Sequence, residues 1–266
     1  HEVPTFENTI LAMENAGELL SEVSRVFGNY NSANTSEQIQ AIAKETAPEL
    51  SAHSDNIALN GKLFARVEEL WNKKGSLNLN LEQAKILENR YKSFVRSGAN
   101  LSQTDKDKLR KINAELSLTS LKYGQNILAE TNKYELVISD KKELDGLPSQ
   151  LIEAAAEDAK ANGKAGKWVF TLSNSSVMPF LQYSSNRKLR KEIWNAYQTR
   201  ANHDDDLDNK ANAVKLANLR GEKARLLGYK SHSDYVLEES MAKTPENVSK
   251  LLNDLWKPAL EIAKVE

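Results

Sequence analysis

Residues 102–127 read SQTDKDKLRKINAELSLTSLKYGQNI. Ser102 with Asp105 is a helix-start pair, a hydroxyl followed three residues later by a carboxylate. Behind it Leu109, Ile112, Leu116, Thr119, Tyr123 and Ile127 recur at alternating spacings of three and four, which aligns them along one side of a helix. The pattern is that of a coiled-coil-like seam. Antiparallel packing against neighbouring helices explains it more simply than oligomerisation, and so long a helix sets the expected fold as mainly α.

Working back from this stretch, Asn80 with Gln83 forms a second cap signal ahead of Leu81, Ala84, Leu87, Tyr91 and Phe94, with Gly98 as the stop. Gly61–Asn72 carries Leu63, Val67, Leu70 and Trp71 at helical spacing, and Lys73–Ser76 is a polar break. Leu50, His53 and Ile57 share one apolar face, and Pro48 is expected to start a helix or kink one already begun near Thr35 or Ser36. Phe6, Ile10, Met13, Leu20 and Phe27 read as one amphipathic helix opened after Pro4-Thr5 and closed by Asn29 to Asn34.

Working forward, the period changes. Tyr134, Leu136 and Ile138 alternate with Glu135, Val137 and Ser139, and Trp168–Leu172 is a second β-rich run behind Gly163 and Gly166. Between them Pro148 to Ala161 reads as a helix with proline at its first turn. Helical spacing returns over 187–200, 207–227, 233–241 and 245–266. The expected architecture is therefore multi-helical with a small two- or three-stranded β element near residues 134–172. The change of period near Asn132 is the best candidate boundary, giving residues 1–132 as a helical region and 133–266 as a small sheet with helices, unless the two form one unit. The last helix lacks a stop signal before Glu266, which suggests a truncated chain.

Composition narrows function. With 36 Lys+Arg against 37 Asp+Glu the net charge is −1, so there is no electrostatic footprint for nucleic acid or an anionic membrane. Cysteine is absent, which removes disulfides and thiolate metal sites from these residues. No apolar run approaches the roughly 18 residues of a membrane span, and a soluble chain, cytoplasmic or periplasmic, is expected.

The four histidines are His1, His53, His203 and His232, and none has a second histidine at the fourth position to present two imidazoles on one helical face. His53 reads as a hydrogen-bonded core residue. Ser231-His232-Ser233-Asp234 imitates a catalytic triad only alphabetically, because nucleophile, base and orienter must converge in space. The acidic run Asp204-Asp205-Asp206-Leu207-Asp208 fails as a calcium loop, having Asn209 and Lys215 where glycine and glutamate are needed; it reads as a solvated helix start. Gly163 and Gly166 lack the lysine–hydroxyl ending of a phosphate loop. The aromatics Trp168, Phe170, Phe180, Tyr183, Trp194 and Tyr197 read as core packing.

Longer strings carry a resemblance. Leu219-Arg220-Gly221-Glu222-Lys223-Ala224-Arg225-Leu226-Leu227-Gly228-Tyr229, continuing through Ser231 to Tyr235 and Met241 to Pro245, is similar to a stretch of the thimet-oligopeptidase and peptidyl-dipeptidase group of zinc peptidases, peptidase family M3. Pro4 to Ile10, Leu50 to Asp55, Met178-Pro179-Phe180, Asn186 to Arg190 and Tyr197 resemble further segments in the same order. The resemblance implies a larger neurolysin-like fold of which this chain is the N-terminal helical part, closest to bacterial peptidyl-dipeptidases. It implies a zinc-dependent parent that acts on short peptides and releases C-terminal dipeptides. The zinc-holding His-Glu-x-x-His helix is expected in a missing C-terminal catalytic half, with this chain forming a wall of the substrate channel. No catalytic or metal-ligating residue of that group carries over to a position here, substrate-binding residues stay unassigned, and zinc is expected to bind the parent rather than this piece. Gly221, Gly228 and Tyr229 are expected to serve helix packing and a helix stop. The competing expectation is a non-enzymatic helical scaffold whose grooves hold a partner helix.

Overall fold

The computed structural model describes residues 2–266. The chain forms two compact units, one built from residues up to Leu118 together with Leu216–Glu266, the other from Thr119–Lys215.

The first unit begins with a π-helical turn at Phe6–Leu11 that runs into α1 (Ala12–Glu14). The Thr5 and Asn8 side chains each accept from the other's backbone N–H. Arg66 donates to the Asn8 and Thr9 side chains and to the Glu2 carbonyl, which pins this end. Phe6 and Ile10 are buried with Phe64, Val67, Leu70, Leu87 and Phe94. These come from α4 (Gly61–Asn72) and α5 (Leu81–Arg96), whose starts are capped by Asn60 and by the reciprocal Asn80–Gln83 pair. The single amphipathic helix expected over Phe6 to Phe27 is instead broken at Gly17, where φ is +84°, and only its first part reaches the core. The remainder, α2 (Glu18–Ala33), buries no residue. α3 (Glu37–Ala58) starts at a Ser36 cap and continues through Pro48 without restarting. His53, Leu50 and Ile57 are exposed. The helix turns Ala43 and Asp55 inward instead, so His53 is a surface residue and not the core histidine that its apolar neighbours implied.

α6 (Gln103–Lys133) is the long helix of the opening stretch. Ser102 accepts from the Asp105 N–H, and every seam position from Leu109 to Ile127 is buried or half-buried. The chain passes from the first unit to the second within α6 and returns within α10 (Lys210–Leu226). The first unit closes with α11 (His232–Leu237) and α12 (Pro245–Val265), the latter with no buried residue.

In the second unit β1 (Leu136–Ile138) pairs antiparallel with β2 (Trp168–Phe170), Leu136 opposite Phe170 and Ile138 opposite Trp168. Between them lies α7 (Ser149–Ala161), and after them α8 (Asn174–Tyr183) and α9 (Arg187–Gln198). The core joins Leu136, Ile138, Phe170, Phe180 and Ile193, with the Phe170 and Phe180 rings edge to face at 4.7 Å. Each fully buried side chain of this kind contributes about 1.5–3 kcal/mol. Of the six aromatics expected in the core, Tyr183 and Trp194 are exposed. α8 is not legible in the sequence, since Pro179 lies inside it and three hydroxyl or amide residues open it. The helix expected from Leu207 starts instead at Lys210, because the Asp208 side chain takes the Lys210 and Asp204 backbone N–H groups and folds the acids into a turn ahead of it.

Gly146 lies at φ +83°, where a Cβ would collide with the Tyr183 carbonyl and lie 2.7 Å from Ser185 Oγ. Gly146→Ala is expected to destabilise the chain by about 2–4 kcal/mol, left-handed strain adding to the collision, read as a lower urea midpoint. Asp208, drawn down chiefly by the two backbone donors and then by Lys210, is expected to titrate at about 2 in a carboxylate NMR series. Its stabilising contribution is present above the ordinary Asp value and lost as pH falls through the folded value.

Candidate functional site

A cavity of 570 Å³ opens in the first unit among α3, α5, α6, α10 and α11. Its polar floor comes from one residue on each of three helices. Asp55 on α3 is only 7% exposed. Asn113 on α6 donates through Nδ2 to Asp55 Oδ1 at 2.7 Å and accepts at Oδ1 from Lys223 Nζ of α10 at 2.8 Å. The amide thus stands between a carboxylate and an ammonium. Burial raises the Asp55 carboxyl above its ordinary value, opposed by the Asn113 hydrogen bond and by the charges of Arg110 and Lys223. Burial likewise lowers Lys223, opposed by Asp55. Ser51, Ser54, Ser97, Ser117 and Tyr235 supply further hydroxyls to the lining.

The Tyr235 side of the cavity is braced. Arg96 of α5 donates to the Tyr235 carbonyl at 2.7 Å, contacts the Tyr229 hydroxyl and pairs with Glu238, and its guanidinium lies over the Tyr235 ring. Tyr229 donates to Glu238 at 2.7 Å. Tyr229 is therefore a structural strut, and Gly228, at φ +87° with nothing near its absent side chain, is the expected helix stop. At Gly221 only the flexible end of the Arg225 side chain lies near the absent Cβ, so the tight helix packing expected there is not found.

The histidines do not converge. His1 lies outside the described residues. His203 is on the surface of the second unit, 3.1 Å from Glu130. His232 opens α11 beside the cavity, its Nδ1 buried without a hydrogen-bond partner; burial, then Arg220 and Lys223, lower its pKa. Ser231 Oγ donates to Asp234 at 2.6 Å and caps the helix, so hydroxyl and carboxylate face each other and not the imidazole. Among the described residues no three His, Cys, Asp or Glu side chains form a group able to hold a metal ion. Nor is any helix there long and apolar enough to cross a membrane. Sequence reasoning passed over Asp55, Asn113 and Lys223. The available signal was a carboxylate between Leu50 and Leu59 and an asparagine beside the α6 seam, both at positions where solvated residues are equally ordinary.

Residues 180–266 match the model of peptidase family M3. The chain is 35% identical to a dipeptidyl carboxypeptidase of Escherichia coli strain K12 over 100% of its own length and 39% of that protein. It is 33% identical to the Salmonella typhimurium dipeptidyl carboxypeptidase over 96% of its length and 38% of the relative. An oligopeptidase A of Haemophilus influenzae is 30% identical over 94% of this chain and 37% of the relative. The chain thus spans under two fifths of the length of these relatives.

Two substitutions test the cavity floor. Asn113→Ala removes one partner from each buried charge and is expected to cost about 2–3 kcal/mol in urea unfolding. Asp55→Asn keeps the acceptor and drops the charge that burial disfavours. It is expected to raise the urea midpoint at pH 7. Because the folded Asp55 value is raised, its penalty is relieved as pH falls through that value, so the advantage should vanish below the ordinary Asp range.

Proposed function

We propose that this chain, whose residues 180–266 match peptidase family M3, is the helical, non-catalytic part of a zinc metallopeptidase that acts on short peptides and releases dipeptides from a free C-terminus. The observation that supports this most is the match to dipeptidyl carboxypeptidase along the whole chain at 35% identity, against 28–30% for bacterial oligopeptidases A. The described residues do not fit zinc, since no ligand set converges among them; zinc ligands would come from the rest of the polypeptide. On this reading the chain contributes binding surface and a wall of the substrate channel, and catalysis is supplied elsewhere.

The partner of these helices would be that remaining polypeptide. α12 supports the reading: Leu251, Leu252, Leu255, Trp256 and Ile262 all stand in solvent, far more apolar area on one helix than a stable surface normally leaves uncovered. The charge balance offers nothing to nucleic acid.

The test compares this chain with a polypeptide extended to the relatives' full length, using a quenched-fluorescent peptide with a free or an amidated C-terminus. The extended protein should release a dipeptide from the free form only, and lose this activity to a chelator. The 266-residue chain should be inactive with or without added zinc. Cleavage by the short chain would overturn its non-catalytic role, and inactivity of the extended protein would overturn the peptidase reading.

A further inference from the structure

From the cavity of the first unit we infer that it is a binding site for a carboxylate, presented by a small organic acid or by a peptide C-terminus. The cavity has a volume of 570 Å³, within the range of about 300–1,000 Å³ that small-molecule sites occupy. An amphipathic groove waiting for a helix would be lined by aliphatic side chains. This one carries the Ser51, Ser54 and Tyr235 hydroxyls, the Asn113 amide and the Lys223 ammonium.

Charge selects the ligand class. Lys223 is half-buried, and its one hydrogen bond is to a neutral amide oxygen. No carboxylate stands within ion-pair distance of it among the described residues. An ammonium has three donors, and holding it out of water without an anion is costly. Asp55 is the one carboxylate in the lining, and it is already occupied by Asn113 and flanked by Arg110. Within the lining Lys223 is the one cation and Asp55 the one acid, and that acid already accepts from Asn113. A carboxylate entering it would accept from Lys223 Nζ and the serine hydroxyls, replacing the water that an unpaired ammonium otherwise requires. Asp55 would repel that ligand and weaken its binding.

This site needs neither metal nor hydrolysis, so its test is separate from that of the peptidase reading. The 266-residue chain is titrated by calorimetry with N-acetyl-dialanine, with the same peptide amidated at its C-terminus, and with succinate. Saturable binding of N-acetyl-dialanine but not its amide is expected if the source is a peptide terminus, and of succinate if it is a small acid; either supports the site. Lys223→Met, with its fold checked by circular dichroism, should weaken binding at least tenfold. Asp55→Asn should tighten it several-fold, and this arm decides the matter if the lysine variant fails to fold. Absence of saturable binding by both acids, equal binding of acid and amide, unchanged affinity in folded Lys223→Met, or unchanged or weaker affinity in Asp55→Asn would overturn the inference.

Discussion

A carboxylate and an ammonium leave water together only if each is given a partner, and here one amide serves both. Asn113 donates to Asp55 and accepts from Lys223, so its two ends must face two different helices. That requirement sets the rotation of α6 relative to α3 and α10 more tightly than apolar packing would, because an apolar side chain tolerates a shift that a hydrogen bond does not. The same three helices then form the floor of the cavity. Its chemistry follows from the arrangement: one ammonium, one carboxylate bridged to it by an amide, and hydroxyl-bearing residues around them.

The two units are stabilised differently. In the second, a short antiparallel pair is sealed by the edge-to-face Phe170 and Phe180 rings and by Ile193, and the core is continuous. The first divides its work. Phe6, Ile10, Phe64 and Phe94 make an apolar cluster, whereas the cavity region is held by directional bonds, including the Arg96 brace to Tyr229, Tyr235 and Glu238. Apolar faces on α2 and α12 remain uncovered.

Local signals were faithful wherever they acted locally. The Asn80–Gln83 and Ser102–Asp105 caps form as their spacing requires, and the strand alternation at Leu136 to Ile138 gives a buried–exposed–buried strand. They misled wherever the outcome rested on what lies opposite. Leu50, His53 and Ile57 make a convincing apolar face that meets solvent. Phe6 to Phe27 keeps helical spacing across a break that Gly17 makes possible, and α8 forms in spite of Pro179 because its apolar side chains are needed by the core.

Periodicity, caps and charge balance determined by themselves a mainly α chain with a small sheet, and ordered strings such as Leu219 to Tyr229 carry its resemblance to peptidase family M3. These are properties of neighbours along the chain, where spacing alone decides which side chains share a face. Tertiary structure alone decided that Asp55, Asn113 and Lys223 meet. Residues 58 and 110 positions apart are joined by how helices pack, and until they pack nothing distinguishes a charge destined for burial from one destined for water.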